Sequence, residues 1–339
     1  MLKINNYVHK RISGDARLQA FRDILEFNNI NLSINIFFGL GEGLIFKFMS
    51  CYPDTNITTI IGKNIETEQI FCRNVGINIE EHEETNTHKS KMMLINRLKN
   101  NIPTIIDVDK KELEHISNYT NTIHSVVVVG YDEKEDKFAI TDTVSDDPIW
   151  IEAKKIEKAR NSNSCTFFPK NKWYNLDFSN YKSHIVLNSY YSSIKSVCLS
   201  MKSRLYNTGI NGMKNFYEEF KKTYDFFQNN DLDEGLRRSF SSNLLDIGIQ
   251  IKDSEYSNSF YRDIYSAYLQ RLYLFTDIEL FNKYSIKCIK IASMWRKLGD
   301  YLSSEKTSII SKATYFLNVF PDIITMEEEF FTNLYENLN

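Results

Sequence analysis

The apolar residues of this chain change their spacing once, and that change constrains the fold more than any other feature. Up to about residue 175 they come in short runs rich in β-branched and aromatic side chains: "TTIIG", "QIFC", "TIIDV", "SVVVVGYD", "KFAITDT" and "PIWIEA". Such runs predict strands. From about residue 190 they recur every three or four positions in long amphipathic stretches, "YEEFKKTYDFFQ", "SFYRDIYSAYLQRLYLF" and "IKCIKIASMWRKLGDYLS", which predict helices with only Pro321 interrupting. One helix precedes the strands: "ARLQAFRDILEFNN", residues 16–29, sets Leu18, Phe21, Ile24 and Leu25 at helical spacing, with Gly14 and Asp15 as its cap. The expected class is therefore α+β, with a strand-rich domain over 1–180 and an all-helical domain over 181–339. A length of 339 residues accommodates two domains of ordinary size.

Composition removes several classes of function. A hydrophobic fraction of 42% with 14% aromatics is too apolar for disorder. A net charge of −3, with both signs interspersed, provides no basic field for nucleic acid, so no nucleic-acid partner is expected. No apolar run approaches the roughly 18–20 residues of a membrane span, and "MLKINNYVHKRISGD" has no signal-peptide core, which predicts a cytoplasmic protein with no membrane association. Cys51, Cys72, Cys165, Cys198 and Cys288 are scattered, odd in number and without a CxxC pair, and suggest neither a disulfide framework nor zinc.

Two motifs invite functional readings that their context does not support. Gly39, Gly41 and Gly43 in "GLGEGLIF" would cradle phosphate only after a strand and before a helix; here they follow a helix and precede a strand, which predicts a tight turn. "EEHEETNTH" holds His82 and His88 among glutamates, but without the spacing of a histidine pair on one helical face, and reads as a charged loop rather than a metal site.

His124 is different. It opens the strand "HSVVVVGYD", and Asp142 closes the next one, "FAITD", where an unpaired carboxylate would be costly. The turn at "YDEKEDK" brings the start of one strand beside the end of the other, so the carboxylate can fix the imidazole's tautomer and stabilise its cation, as in a catalytic triad. In a cysteine-protease-like arrangement the nucleophile stands at the N-terminus of an early helix, where the helix dipole lowers a thiol's pKa and backbone amides can bind an oxyanion. The early helix here begins at Ala16. Cys51 and Cys72 precede His124 but begin no convincing helix, and Cys165, Cys198 and Cys288 follow it.

The segment "ARLQAFRDILEFNNINLSINIFFGLGEGLIF" resembles the opening of the papain-like family named after the butirosin biosynthesis acyltransferase, a helix of the form "HCxSxxLRNLL" followed by an "FGLGxGLxF" turn. The resemblance continues through "NIPTIIDVD", "HSVVVVGYD", "ITDT" and "DPIWIEAKKIEKAR", and more weakly through "FYRDIYSAYLQ" and "MWRKLGDYL" in the helical half. It implies a papain-like fold and acyl transfer: a cysteine takes an acyl group from the phosphopantetheine thioester of an acyl or peptidyl carrier protein and passes it to an amine. His124 matches the base and Asp142 the orienting acid, while Ala16 falls where the cysteine belongs and Asp15 where a histidine precedes it. Asp15 and Arg17 are the oxyanion or site-adjacent positions. Alanine cannot attack a thioester, so the chain reads either as a natural pseudoenzyme that kept the pocket for binding or, as the retained His124 and Asp142 favour, as an inactivated variant of an active enzyme.

The composition, heavy in Asn, Ile, Lys and Tyr, also resembles that of low-GC bacteria whose papain-like enzymes build closthioamide-type amides from an acyl chain and a diamine. Phe216, Tyr217, Phe220, Tyr265, Tyr268 and Phe275 read as helix core or as an acyl tunnel; Lys154, Lys155, Arg237 and Arg238 as solvated faces or as a carrier-protein contact. No cofactor and no metal is expected. A hydrolase on the same triad and a non-catalytic binding protein are the alternatives.

Overall fold

A computed structural model describes residues 1–12, 15–50, 58–113, 123–164, 168–229, 234–252 and 258–338. In chain order the first elements are β1 (Leu2–Lys3), α1 (Ala16–Phe27), α2 (Ile34–Leu40), β2 (Leu44–Ser50), β3 (Thr58–Lys63), α3 (Thr67–Val75), β4 (Asn78–His82), α4 (Thr87–Lys99) and β5 (Thr104–Asp109). There follow β6 (Ile123–Asp132), β7 (Lys137–Asp142), β8 (Ser145–Glu152), α5 (Ala153–Arg160) and β9 (Trp173–Asp177). The rest is helical: α6 (Leu187–Met201), α7 (Gly209–Asn229), α8 (Glu234–Lys252), α9 (Arg262–Thr276), α10 (Glu279–Ser303) and α11 (Ile309–Asn337). An N-terminal helix, an antiparallel sheet and a helical C-terminal region make the chain α+β.

Two compact units form, and they are not the consecutive halves expected from the sequence. One is Met1–Ile34 with Val75–Ser183; the other is Asn35–Asn74 with His184–Asn339. The hairpin of β2 and β3 joins the helical unit because Phe46 packs its ring, tilted or edge-on, against Phe216, Phe260, Trp295 and Phe320 there. A strand run read by its neighbours in sequence is claimed by an aromatic core more than 150 residues downstream. Two local expectations also change. "QIFC" lies in helix α3 rather than a strand, with Phe71 and Cys72 buried. The glutamate-rich segment is a loop only over residues 83–86, since Glu80–His82 pair as an edge strand with β9 and His88 is the second residue of α4.

In the first unit the strand order is β4-β9-β5-β6-β7-β8, with β1 added beside β6, and all pairings are antiparallel. Valines 126–129 and Ile105, Ile106, Val108, Phe138 and Ile140 fill this sheet's core. Helix α1 packs against β6 and β7 through Leu18, Phe21, Ile24 and Leu25, all buried as their spacing predicts. Each such side chain contributes about 1.5–3 kcal/mol. Asp15 caps α1, its carboxylate accepting from the Leu18 N–H at 2.9 Å.

In the helical unit the glycine motif is the expected helix-to-strand turn, and its glycines serve close packing. A Cβ on Gly39 would lie 2.2 Å from Cγ of Tyr268 in α9, and one on Gly41 would lie 2.4 Å from the Thr67 carbonyl oxygen. Phe216, Phe220, Tyr265 and Tyr268 are buried core residues, whereas Phe275 is exposed. Pro321 does not interrupt α11. It lacks the N–H that would bond the Leu317 carbonyl, and the Tyr217 hydroxyl donates to that oxygen instead, at 3.4 Å. At the centre Arg262 and Glu327 form a buried bidentate pair, Nε to Oε1 at 2.7 Å and Nη2 to Oε2 at 3.1 Å. Trp295 donates to the same carboxylate at 2.7 Å.

Candidate active site

The site is built on the hairpin of β6 and β7 and the N-terminus of α1. His124 is the second residue of β6, opposite Val108 of β5. Asp142 is the last residue of β7, where the pairing with β8 is irregular between Ile140 and Asp142. The two side chains meet as expected from the hairpin: Nε2 of His124 lies 2.6 Å from Oδ1 of Asp142. The same oxygen accepts from the Thr143 N–H at 2.6 Å and from its hydroxyl at 3.2 Å. Both side chains are almost out of solvent, 8% and 0% exposed.

An ionised carboxylate only accepts, so Nε2 carries the proton and the lone pair of the neutral ring sits on Nδ1. Among the described residues Nδ1 has no hydrogen-bond partner. That nitrogen is the one able to take a proton from a third group.

Helix α1 begins at Ala16 and packs against β6 and β7. The next residue, Arg17, reaches Asp107 of β5, Nη2 to Oδ2 at 3.2 Å, and lies over the Tyr174 ring at 5.0 Å. Asp107 pairs across the ladder with Ser125, the residue after His124. Its buried carboxylate also takes hydrogen bonds from Ser125 and Tyr174, each at 2.7 Å. Arg17 is thereby engaged in holding α1 to the sheet. Asp15 adjoins the site as a helix cap, and a carboxylate there disfavours an oxyanion by like charge.

No described cysteine lies at the His124–Asp142 pair or is activated as a nucleophile. Cys72, Cys198 and Cys288 are buried. Burial raises all three thiols, that of Cys198 to about 12, so none is a thiolate near neutrality. Cys51 and Cys165 lie outside the described residues. His82 stacks on Trp173 with ring centroids 4.2 Å apart, and among the described residues no group of His, Cys, Asp or Glu is arranged to hold a metal ion. Lys154 lines a shallow depression with Glu112, Glu157 and Lys158, where Lys158 pairs with Glu112 at 2.7 Å. Arg238 pairs with Glu234 within α8 at 2.5 Å. Among the described residues no helix is long and apolar enough to cross a membrane.

The structure adds residues that the sequence reading missed. Asp23 of α1 is wholly buried and bonded to Gln19, Arg22 and His9. The available signal was that Gln19 and Asp23, four residues apart, fall in the apolar stripe of α1, where a polar side chain needs a partner. His9 itself carried no local signal.

None of the curated proteins matches the chain. A family model does match it over residues 17–143, from the second residue of α1 to just past Asp142. That stretch, which carries His124 and Asp142 and stops one residue short of position 16, is similar to the family described as butirosin biosynthesis protein H, N-terminal.

Proposed function

We propose that this chain is built as an amide-forming acyltransferase of natural-product biosynthesis, seen with alanine where its nucleophilic cysteine belongs. The observation that carries the reading is the His124–Asp142 pair, with Nε2 committed to the carboxylate at 2.6 Å and Nδ1 without a partner among the described residues. The family name supports the biosynthetic setting, and a papain-like arrangement supplies the roles. A thiol at position 16, at the positive end of α1, gives its proton to Nδ1 of His124 and attacks an acyl thioester carried on a carrier protein's phosphopantetheine. The carrier thiol leaves with a proton from the imidazolium, and Asp142 stabilises that cation. An amine then attacks the enzyme thioester, His124 removes its proton, and the amide departs as the thiol is restored. Thiol-to-thioester exchange is nearly balanced in free energy; the amide drives the sequence forward.

The test is the Ala16→Cys variant incubated with a set of acyl pantetheine thioesters and followed by intact mass. Formation of an acyl-enzyme discharged by diamines and not by water supports acyl transfer. Discharge by water alone makes the protein a hydrolase. Absence of any acyl-enzyme, with unchanged thioester binding by the Ala16 chain, makes it a binding protein.

A further inference from the structure

A second buried histidine–aspartate pair lies beside the first. Nδ1 of His9 is 2.6 Å from Oδ2 of Asp23, and Nε2 is 3.0 Å from two backbone carbonyl oxygens, those of Asp142 and Ser145. The side chains of His9 and Asp23 are 3% and 1% exposed. Carbonyl oxygens only accept, so Nε2 bears a proton. The oxygen facing Nδ1 belongs to a carboxylate whose other oxygen accepts hydrogen bonds from Gln19 Nε2 at 2.7 Å and Arg22 Nη1 at 3.2 Å. Nδ1 must then bear a proton too, because a bare lone pair would face an anion.

We propose that His9 is a positioning residue of this site: as an imidazolium it ties Asp23 of α1 to the two carbonyls that flank the β7–β8 turn, and so holds Asp142 where His124 meets it. The inference rests on the proposed acyl-transfer role of His124 and Asp142, but the charge state of His9 stands apart from it. Among the described residues, the charged and titratable groups around His9 are Asp23 and Arg22 on α1, Tyr7 and Arg11 on its own segment, Asp142 on β7 and Asp146 on β8. Tyr7 puts its hydroxyl 3.4 Å from Asp23 and 2.9 Å from Thr141. Arg11 donates its backbone N–H to Asp146, whose carboxyl that bond and the nearby charges of Arg11 and His9 hold below the usual range. Burial opposes the charge on His9, but the Asp23 hydrogen bond and charge, with the two carbonyls, outweigh it and raise the imidazolium above the ordinary histidine range.

Two measurements test this. In the chain as it stands, nitrogen NMR of the histidine rings near pH 7 should show both nitrogens of His9 protonated, the resonance being assigned by its loss in His9→Gln. A neutral ring with one bare nitrogen overturns the proposal whatever the enzyme does. In the Ala16→Cys background, His9→Gln should slow alkylation of the introduced thiol by iodoacetamide near neutrality by roughly 10-fold, within the ~100-fold cost of a 1 Å misplacement. Asp23→Asn should do the same, and His9→Lys, which restores a cation with several donors, should recover part of it. Unchanged rates in both His9→Gln and Asp23→Asn would remove the positioning role even if His9 proves charged. Failure of Ala16→Cys to acylate, with the alkylation effect intact, would count against the acyl-transfer reading and leave His9 in place.

Discussion

Two buried pairs of a basic and an acidic side chain, one in each unit, are built to opposite specifications. Arg262 and Glu327 are 1% and 0% exposed and saturated: both carboxylate oxygens are taken, Trp295 adds a third bond, and Nη1 donates to the carbonyls of Phe260 and Ile45. His124 and Asp142 are nearly as buried, yet one ring nitrogen is left without a partner among the described residues. A saturated pair can only hold its neighbours. An unsaturated one retains a lone pair for chemistry, and the surrounding fold must supply the rigidity that the missing bond would have given.

The comparison breaks most severely at Glu327. Glu327→Ala strands Arg262 as an unpaired buried charge and should destabilise the protein by about 3–5 kcal/mol in urea unfolding, whereas replacing both partners with apolar residues should restore much of the loss. If single and double variants are equally unstable, the saturated pair is not what holds the helical unit. The corresponding change at the other pair should leave stability nearly alone and act on rate. Asp142→Asn in the Ala16→Cys background forces the wrong ring tautomer and should slow acyl-enzyme formation by roughly 10²–10⁴-fold in single-turnover mass measurements. A smaller effect, about 1 kcal/mol, is expected for Tyr217→Phe, which leaves the Leu317 carbonyl beside Pro321 without its donor.

The smallest effect sharpens the comparison through pH. Because the folded-state pKa of His9 is raised, the stability it contributes is fully present below about pH 6.5 and is lost as pH rises through the raised value. His9→Gln should therefore be most destabilising near pH 6, and the gap to the parent should narrow in alkali. A gap that widens with pH would show that His9 is neutral in the folded state.

Legibility followed distance along the chain. His124 and Asp142 are 18 residues apart, joined by one turn, and the parity of two strands is enough to place them side by side. The stripe of Leu18, Phe21, Ile24 and Leu25 was equally open to reading, since helical period alone decides which residues share a face. "QIFC" was misread because a four-residue apolar run fits a strand or one side of a short helix, and periodicity cannot separate them. The β2–β3 hairpin was recognisable as strands, but its assignment to the helical unit depended on Phe46 finding Phe216 and Trp295.

By itself, then, the sequence determined the α+β class, the first helix from Ala16, and the His124 hairpin with its acid. Each is a consequence of local period, capping or a short turn. Only the tertiary structure decided that His9 is clamped between Asp23 and the Asp142 carbonyl, 14 and 133 residues away, and that Arg262 finds Glu327 across 65. No local rule couples residues at those separations. Burial does, because a charge carried out of water keeps its place only where the fold sets an opposite charge or a carbonyl against it.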